Sequence, residues 1–195
     1  LEFDLHGALH LGAVVPCAAI VTSPEVGQKF PLLKQVASLI GGLQIQNRGS
    51  LGGNICNAAP SADTAPALIC LGATVHIAGP GGRRNVSAEE FFLGPGKTAL
   101  SPQELVVEIE IPPPPPHSAG HYLRLTPREE MDIAIAGVAS FVTLAARGQR
   151  CQGGRVALAA VAPTPWRARK AEAILSGKIP NMQLIEQASQ QAAQE

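Results

Sequence analysis

Apolar positions along this chain recur at two spacings, and each spacing predicts a different kind of element. Residues 8–15 read as a strand. Leu32, Leu33, Val36, Leu39 and Ile40 stand at helical spacing and predict a helix over 31–40, ended by Gly41-Gly42. Leu43 to Asn47 alternates briefly and opens a loop rich in Gly, Ser and Asn from Arg48 to Asp63. Residues 64–71 are apolar and predict a helix, with Asp63 as a candidate N-cap and Pro66 tolerated in the first turn. Ala73 to Ala78 predicts a strand, Pro80-Gly81-Gly82 a turn, and Asn85-Val86 the centre of a second strand. Glu89 to Phe92 begins a short helix or turn. Leu105, Val107, Ile109 and Ile111 alternate with Glu108 and Glu110, as in a half-buried strand, and Val106 falls out of that pattern.

The second part of the chain starts with five consecutive prolines, Pro112 to Pro116. Such a run is stiff and extended and cannot join a central sheet, so it reads as a connector. Beyond it, residues 122–125, 133–144 and 156–161 read as strands, and 166–175 and 182–193 as helices. Short strands and helices interleave without a regular βαβ period, which predicts an α+β fold rather than a doubly wound one.

Composition narrows the functional classes. Hydrophobic residues make up 46% of 195 and charged residues 15%, so an ordered core is expected. Fifteen basic residues balance fifteen acidic ones. This leaves no basic surplus for a nucleic acid or an anionic membrane surface. No stretch reaches the roughly 18 apolar residues of a membrane helix. The beginning of the chain has no basic segment followed by an apolar one, so no secretory signal is visible and a cytoplasmic location is expected. Cys17, Cys56, Cys70 and Cys151 form no CxxC pair and no histidine stands at ligand spacing from two of them, so no zinc or iron–sulfur site is expected and they read as small buried hydrophobes. The five histidines are scattered and read as structural or solvent-exposed.

The stretch Gln44 to Asp63, QIQNRGSLGGNICNAAPSAD, carries the chemistry. Gly49, Gly52 and Gly53 allow backbone to approach a ligand closely, and successive N–H groups in such a loop can form a concave nest for a phosphate. A P-loop is excluded, because no Lys follows in a GxxxxGK[ST] pattern. No GxGxxG follows a strand, so a Rossmann site is not indicated. Asp63 stands where a carboxylate either accepts from ribose hydroxyls or caps a helix.

Residues Gln44 to Asn54 resemble the Q-I-R-N-x-G-[ST]-[ILV]-G-G-N signature of the FAD-binding subunits of molybdenum hydroxylases, the medium subunits of carbon monoxide dehydrogenase and the flavin domain of xanthine dehydrogenase. The likeness continues through Ala58 to Asp63, Phe91 to Thr98, Glu104 to Pro112, Tyr122 to Arg124 and Met131 to Ala134. It implies a second FAD-binding subdomain over 1–112, a Pro-rich connector over 113–119 and a C-terminal α/β flavoprotein domain over 120–195. It also implies that Ser50, Leu51, Gly52, Gly53 and Asn54 hold the FAD pyrophosphate, with Asn57 and Ala62 in the same loop and Asp63 contacting the cofactor. Ile40 and Val106 match apolar positions near the flavin. Arg124 stands where the family usually has Lys, which keeps the charge and changes the geometry. The family's first subdomain carries another Gly-rich loop, A-G-G-T-D, and nothing here matches it. With no initiator Met, the expectation is a piece of a longer product with an incomplete C-terminal domain.

The function implied is electron transfer. A molybdopterin-binding large subunit oxidises substrate, a [2Fe–2S] small subunit relays electrons, and FAD delivers them to an acceptor such as NAD or a quinone. The flavin does the chemistry, so no catalytic acid or base is assigned. Two alternatives stand beside this one. The first is a non-catalytic assembly module that docks partner subunits without FAD. The second keeps the fold with the chemistry of stand-alone flavin oxidases or the cell-wall enolpyruvyl reductase.

Overall fold

The computed structural model describes residues 1–128, 131–146 and 149–195. Two antiparallel sheets are built within them. The first contains β1 (Glu2–Phe3), β2 (Leu9–Gly12), β3 (Thr74–Gly79), β4 (Gly82–Ser87) and β7 (Leu105–Ile111), arranged β1-β2-β7-β3-β4. The second contains β8 (Ser118–Leu125), β9 (Ala136–Leu144), β10 (Cys151–Ala159) and β11 (Trp166–Arg167), arranged β11-β10-β9-β8. A small separate hairpin, β5 (Phe92–Gly94) and β6 (Lys97–Thr98), falls between β4 and β7 in sequence. The helices are α1 (Cys17–Thr22), α2 (Pro24–Lys29), α3 (Pro31–Ser38), α4 (Leu43–Gln46), α5 (Leu51–Asn57), α6 (Thr64–Leu71), α7 (Ala88–Phe91), α8 (Arg169–Leu175) and α9 (Met182–Ala192). Helices grouped around antiparallel sheets make this an α+β arrangement, as the irregular interleaving predicts.

The sequence of α6, TAPALICL, has no polar stripe to turn toward water. All eight of its residues are buried. The helix therefore sits in the middle, packed on β9 and β10 and touching α3, α5 and α7. One continuous core surrounds it. Leu9, Leu11, Val75 and Ile109 enter from the first sheet, and Tyr122, Ala139 and Ala157 from the second. A side-chain amide joins α3 to the second sheet. Gln35 Nε2 donates to Tyr122 O at 2.9 Å, and Tyr122 N–H donates to Gln35 Oε1 at 3.0 Å. This pair copies the pattern of a backbone bridge and fixes the height of Tyr122 against α3.

Val106 interrupts the alternation in β7 because the strand carries a bulge. His76 pairs with Glu108, but the next residue, Ile77, pairs with Val106, so Val107 is the extra residue. Past the bulge the faces exchange. Val106 packs against the core and Leu105, expected inside, is 73% exposed.

Several expectations are corrected. Leu43 to Gln46 is a helical turn rather than an extended segment, with Gln46 N–H bonded to Gly42 O at 3.0 Å. Trp166-Arg167 is an edge strand, and the helix read over 166–175 starts at Arg169. The strand read from Ile133 starts at Ala136, and β8 starts at Ser118, inside the stretch read as a connector. Helices α1 and α2 are too short for periodicity to reveal.

Candidate functional site

The Gly-rich segment is not a loop. Residues 51–57 form α5, and Ser50, extended at φ −107° and ψ 159°, caps it. Ser50 Oγ accepts from Gly53 N–H at 3.0 Å and Ser50 O accepts from Asn54 N–H at 3.0 Å. Helix geometry leaves the N–H groups of Leu51 and Gly52 without an intrahelical acceptor. The nest expected of a loop is thus replaced by the first turn of a short helix. Its position is fixed from outside by the bridge between Pro16 and Ser50 and by Cys17 N–H donating to Gly49 O at 2.9 Å.

The two central glycines do different things. Gly52 is buried, and a Cβ there would lie 2.8 Å from Ala13 Cα and 3.0 Å from Ala13 C. It is a packing glycine, required where α5 crosses the turn after β2. Gly53 faces solvent, and a Cβ there would meet only Ser50 Oγ, at 3.2 Å. Gly53 is the one that leaves backbone open to a ligand. Leu51 is 1% exposed and anchors the helix in the core. Asn57 is exposed at the far end of α5, before Ala58, whose φ of 45° ends the helix.

Beside α5 lies a cavity of about 280 Å³. Ile40, Asn54, Ala62, Asp63 and Arg124 line it, which brings together five of the sequence-predicted residues. Leu39, Ile45, Met131 and Ile133 add an apolar wall, and Ser61 and Asp132 add polar atoms. Ser50, Leu51, Gly52, Gly53 and Asn57 are not among its walls, and neither is Val106, which stands on β7 opposite Ile77. Leu39, Ile45 and Ile133 carried no chemical signal in the sequence, since aliphatic residues in a core and in a ligand slot look alike.

Asp63 does not cap α6 with its side chain. Its carboxylate accepts from Tyr122 Oη at 2.6 Å and from Arg124 Nη1 at 2.8 Å. The Asp63 and Arg124 side chains are each only 11% exposed. Burial, and then the bond to Asp63, push the Tyr122 phenol well above its ordinary value, so it stays protonated and donates. Gly137 makes room for this ring, because a Cβ there would lie 3.0 Å from Tyr122 Cζ. Asn54 Oδ1 accepts from the Thr64 hydroxyl, which leaves its NH2 as the end without an acceptor among the described residues.

A larger cavity, about 890 Å³, lies between β9, β10 and the helices α8 and α9. Its walls are Val138, Val142, Val156, Leu158, Trp166, Ile185 and similar side chains, with few polar groups to orient a dinucleotide. The smaller cavity has the polar groups and adjoins the helix start.

Residues 3–114 match the family described as the FAD binding domain in molybdopterin dehydrogenase. The chain belongs to that family. Residues 121–195 match the CO dehydrogenase flavoprotein C-terminal domain. The putative xanthine dehydrogenase FAD-binding subunit of Escherichia coli K12 is 33% identical over 97% of this chain and 64% of its own length. The carbon monoxide dehydrogenase medium chain of Afipia carboxidovorans is 34% identical over 86% of this chain and 57% of its own. The solved carbon monoxide dehydrogenase of Hydrogenophaga pseudoflava superposes with a TM-score of 0.92 at 34% identity, covering 97% of this chain and 65% of that one. The chain therefore spans less than two thirds of the relatives it matches.

The residues present fit part of the family's cofactor. Exposed Gly53 lets a phosphate approach the start of α5 without meeting a side chain, although its own N–H is bonded to Ser50 Oγ. An apolar slot edged by one buried guanidinium and one amide suits an aromatic heterocycle. At about 280 Å³ the cavity falls just below the roughly 300–1,000 Å³ of small-molecule sites and is too small for a whole dinucleotide.

Proposed function

We propose that the chain is the FAD-holding part of the medium subunit of a molybdenum hydroxylase, passing electrons from [2Fe–2S] clusters through FAD to an acceptor such as NAD or a quinone. The observation that carries this reading is the adjacency of the α5 start and the cavity holding Ile40, Asn54, Ala62, Asp63 and Arg124. The chemistry supplied by bound flavin is redox, exchanging electrons singly or in pairs. The chain's residues bind and orient. The first turn of α5, Ser50 to Asn54, receives the diphosphate. Ile40, Leu39 and Ile45 pack against the ring system. Arg124, held in one geometry by Asp63 and Tyr122, presents a fixed positive charge. Asp63 acts on the cofactor through Arg124, since both of its oxygens are already engaged inside the chain.

Residues 1–112 and 120–195 would serve as two units, joined by the Pro-rich segment. Partners would be a molybdopterin-binding large subunit and a [2Fe–2S] small subunit in the cytoplasm. Met131 and Ile133 line the cavity and stand exposed, which supports docking of other protein there. Among the described residues no helix is long and apolar enough to cross a membrane. The same exposed side chains favour the second reading, an assembly module that docks partners without FAD.

The test is flavin content of the purified full-length protein, read from its visible absorption, in wild type and Gly53→Val. The proposal expects bound FAD in wild type and its loss in the folded variant. Equal flavin in both would remove the α5 start from the site. A colourless wild type that gains no flavin spectrum on titration with FAD would leave the docking reading.

A further inference from the structure

On the open face of the first sheet, two histidines and two glutamates converge. The register makes them neighbours. On the central strand β7, Glu110 lies opposite His10 of β2, and Glu108 lies opposite His76 of β3. Leu9, Leu11, Val75, Ile109 and Ile111 point to the core, so the residues between them share the other face. Their contacts run diagonally. His10 Nδ1 is 2.8 Å from Glu108 Oε1, and His76 Nε2 is 2.8 Å from Glu110 Oε2 and 3.9 Å from Glu108 Oε1. Among the described residues, neither glutamate pairs with Lys or Arg. Two carboxylates, two residues apart on one strand, are faced by imidazoles.

From this arrangement we infer a binding site for a divalent transition-metal cation of the zinc class, with His10, His76, Glu108 and Glu110 as ligands. Neutral imidazole and carboxylate are the donors such a cation takes. In a tetrahedral site with metal–ligand bonds of about 2.0–2.2 Å, neighbouring ligand atoms stand about 3.4 Å apart. The ligand atoms of His10, Glu108 and Glu110 already lie within 4.8 Å of one another. Closing these three needs side-chain adjustments on a three-stranded base, and His76, outside that group but 2.8 Å from Glu110 Oε2 and 3.9 Å from Glu108 Oε1, must swing in as the fourth ligand. A dication would also neutralise two carboxylates now held side by side. A further carboxylate, Asp4, faces the other ring nitrogen of His10, with Oδ2 3.8 Å from Nε2. That separation is longer than a hydrogen bond; closing it would let Asp4 orient the ring as carboxylates behind metal-ligating histidines do. Asp4 is itself anchored, since its Oδ1 accepts from the N–H groups of His6 and Ala8 at 2.8 Å each. The site lies on another face from the flavin cavity and does not depend on that reading.

The experiment titrates Zn2+ into chelator-treated full-length protein by calorimetry, and records d–d absorption with Co2+ in its place. The expected result is one Zn2+ per chain, a Co2+ spectrum of tetrahedral intensity, and a higher melting temperature with Zn2+. His10→Ala and His76→Ala should each weaken binding at least tenfold, and His121→Ala, on the other sheet, should leave it unchanged. Asp4→Asn should weaken binding while keeping the Co2+ band shape. Zn2+ uptake that is absent in wild type, or that persists undiminished in the His10→Ala/His76→Ala double variant, would overturn the assignment. The wild-type Co2+ spectrum needs no variant to fold, and octahedral-type weak bands would overturn it as well.

Discussion

Two adjacent glycines in one helix should respond in opposite ways to the same substitution. Gly52→Ala adds a methyl that would stand 2.8 Å from Ala13 Cα and 3.0 Å from Ala13 C, with the carbonyl oxygen closer still. Neither side can give way easily. Ala13 N–H is bonded to Val107 O at 3.0 Å, and α5 is tied down through Ser50 and Gly49. Overpacking against fixed backbone costs about 1–3 kcal/mol. Helix propensity returns about 1 kcal/mol when Ala replaces Gly. The net loss is then up to about 2 kcal/mol, which for a chain of this size lowers Tm by as much as about 8 °C. Gly53→Ala carries the same propensity gain and meets only Ser50 Oγ, so its Tm should match or exceed that of wild type. Scanning calorimetry of the three proteins decides the matter. A Gly52→Ala variant as stable as Gly53→Ala would refute the assignment of Gly52 to packing. It would also reopen Gly52 as a ligand-binding position beside Gly53.

Other outcomes follow from individual hydrogen-bonded and titratable side chains. Tyr122→Phe removes a hydrogen bond to an ionised carboxylate and should cost about 1.5–3 kcal/mol in urea unfolding, because bonds to charged groups are worth that much. The phenol's folded value is raised, so its contribution is intact below the unfolded value near 10 and is lost as pH rises beyond it. As Tyr122 is the chain's only tyrosine, phenolate absorbance in alkaline titration should appear together with unfolding, and appearance in the native state would contradict its burial. Glu104 is held down to about 2 by the two-pronged Arg84 guanidinium and Ser101 N–H. Its contribution is present above the usual carboxylate value and fades as pH falls toward 2, so acid unfolding of Arg84→Gln should begin at higher pH than in wild type. Burial pushes the Cys70 thiol up to about 12. Iodoacetamide at pH 8 should therefore spare it in the native protein and label half-buried Cys56 first, with mass spectrometry as the readout.

Which parts of this were legible in the sequence depends on how local their cause is. The α3 helix, the hairpin turning at Pro80-Gly81, α6 and the extent of β7 were readable, because periodicity and turn residues act over a few positions. Helix α5 is not legible as a helix. Gly52 and Gly53 are poor helix formers, and the turn survives because Ser50 caps it while Leu51 and Ile55 bury themselves in the core. Resemblance singles out a set of motif residues, but how the fold divides them is not legible in the sequence. Gly52 packs, Gly53 is open, and Asp63 serves Arg124 and Tyr122 from 61 and 59 residues away.

The chain's own order of residues determined an ordered α+β protein with a glycine-rich stretch of the family's type. Composition, alternation and turn signals are properties of short segments, and these they could set. Only tertiary structure decided that Arg124 is locked by a buried carboxylate. The same holds for the bulge in β7 that reverses its faces and for the meeting of His10 and His76 across two glutamates. Each of these depends on strand register and helix packing between distant segments, where one residue of slip sends a side chain to the opposite face.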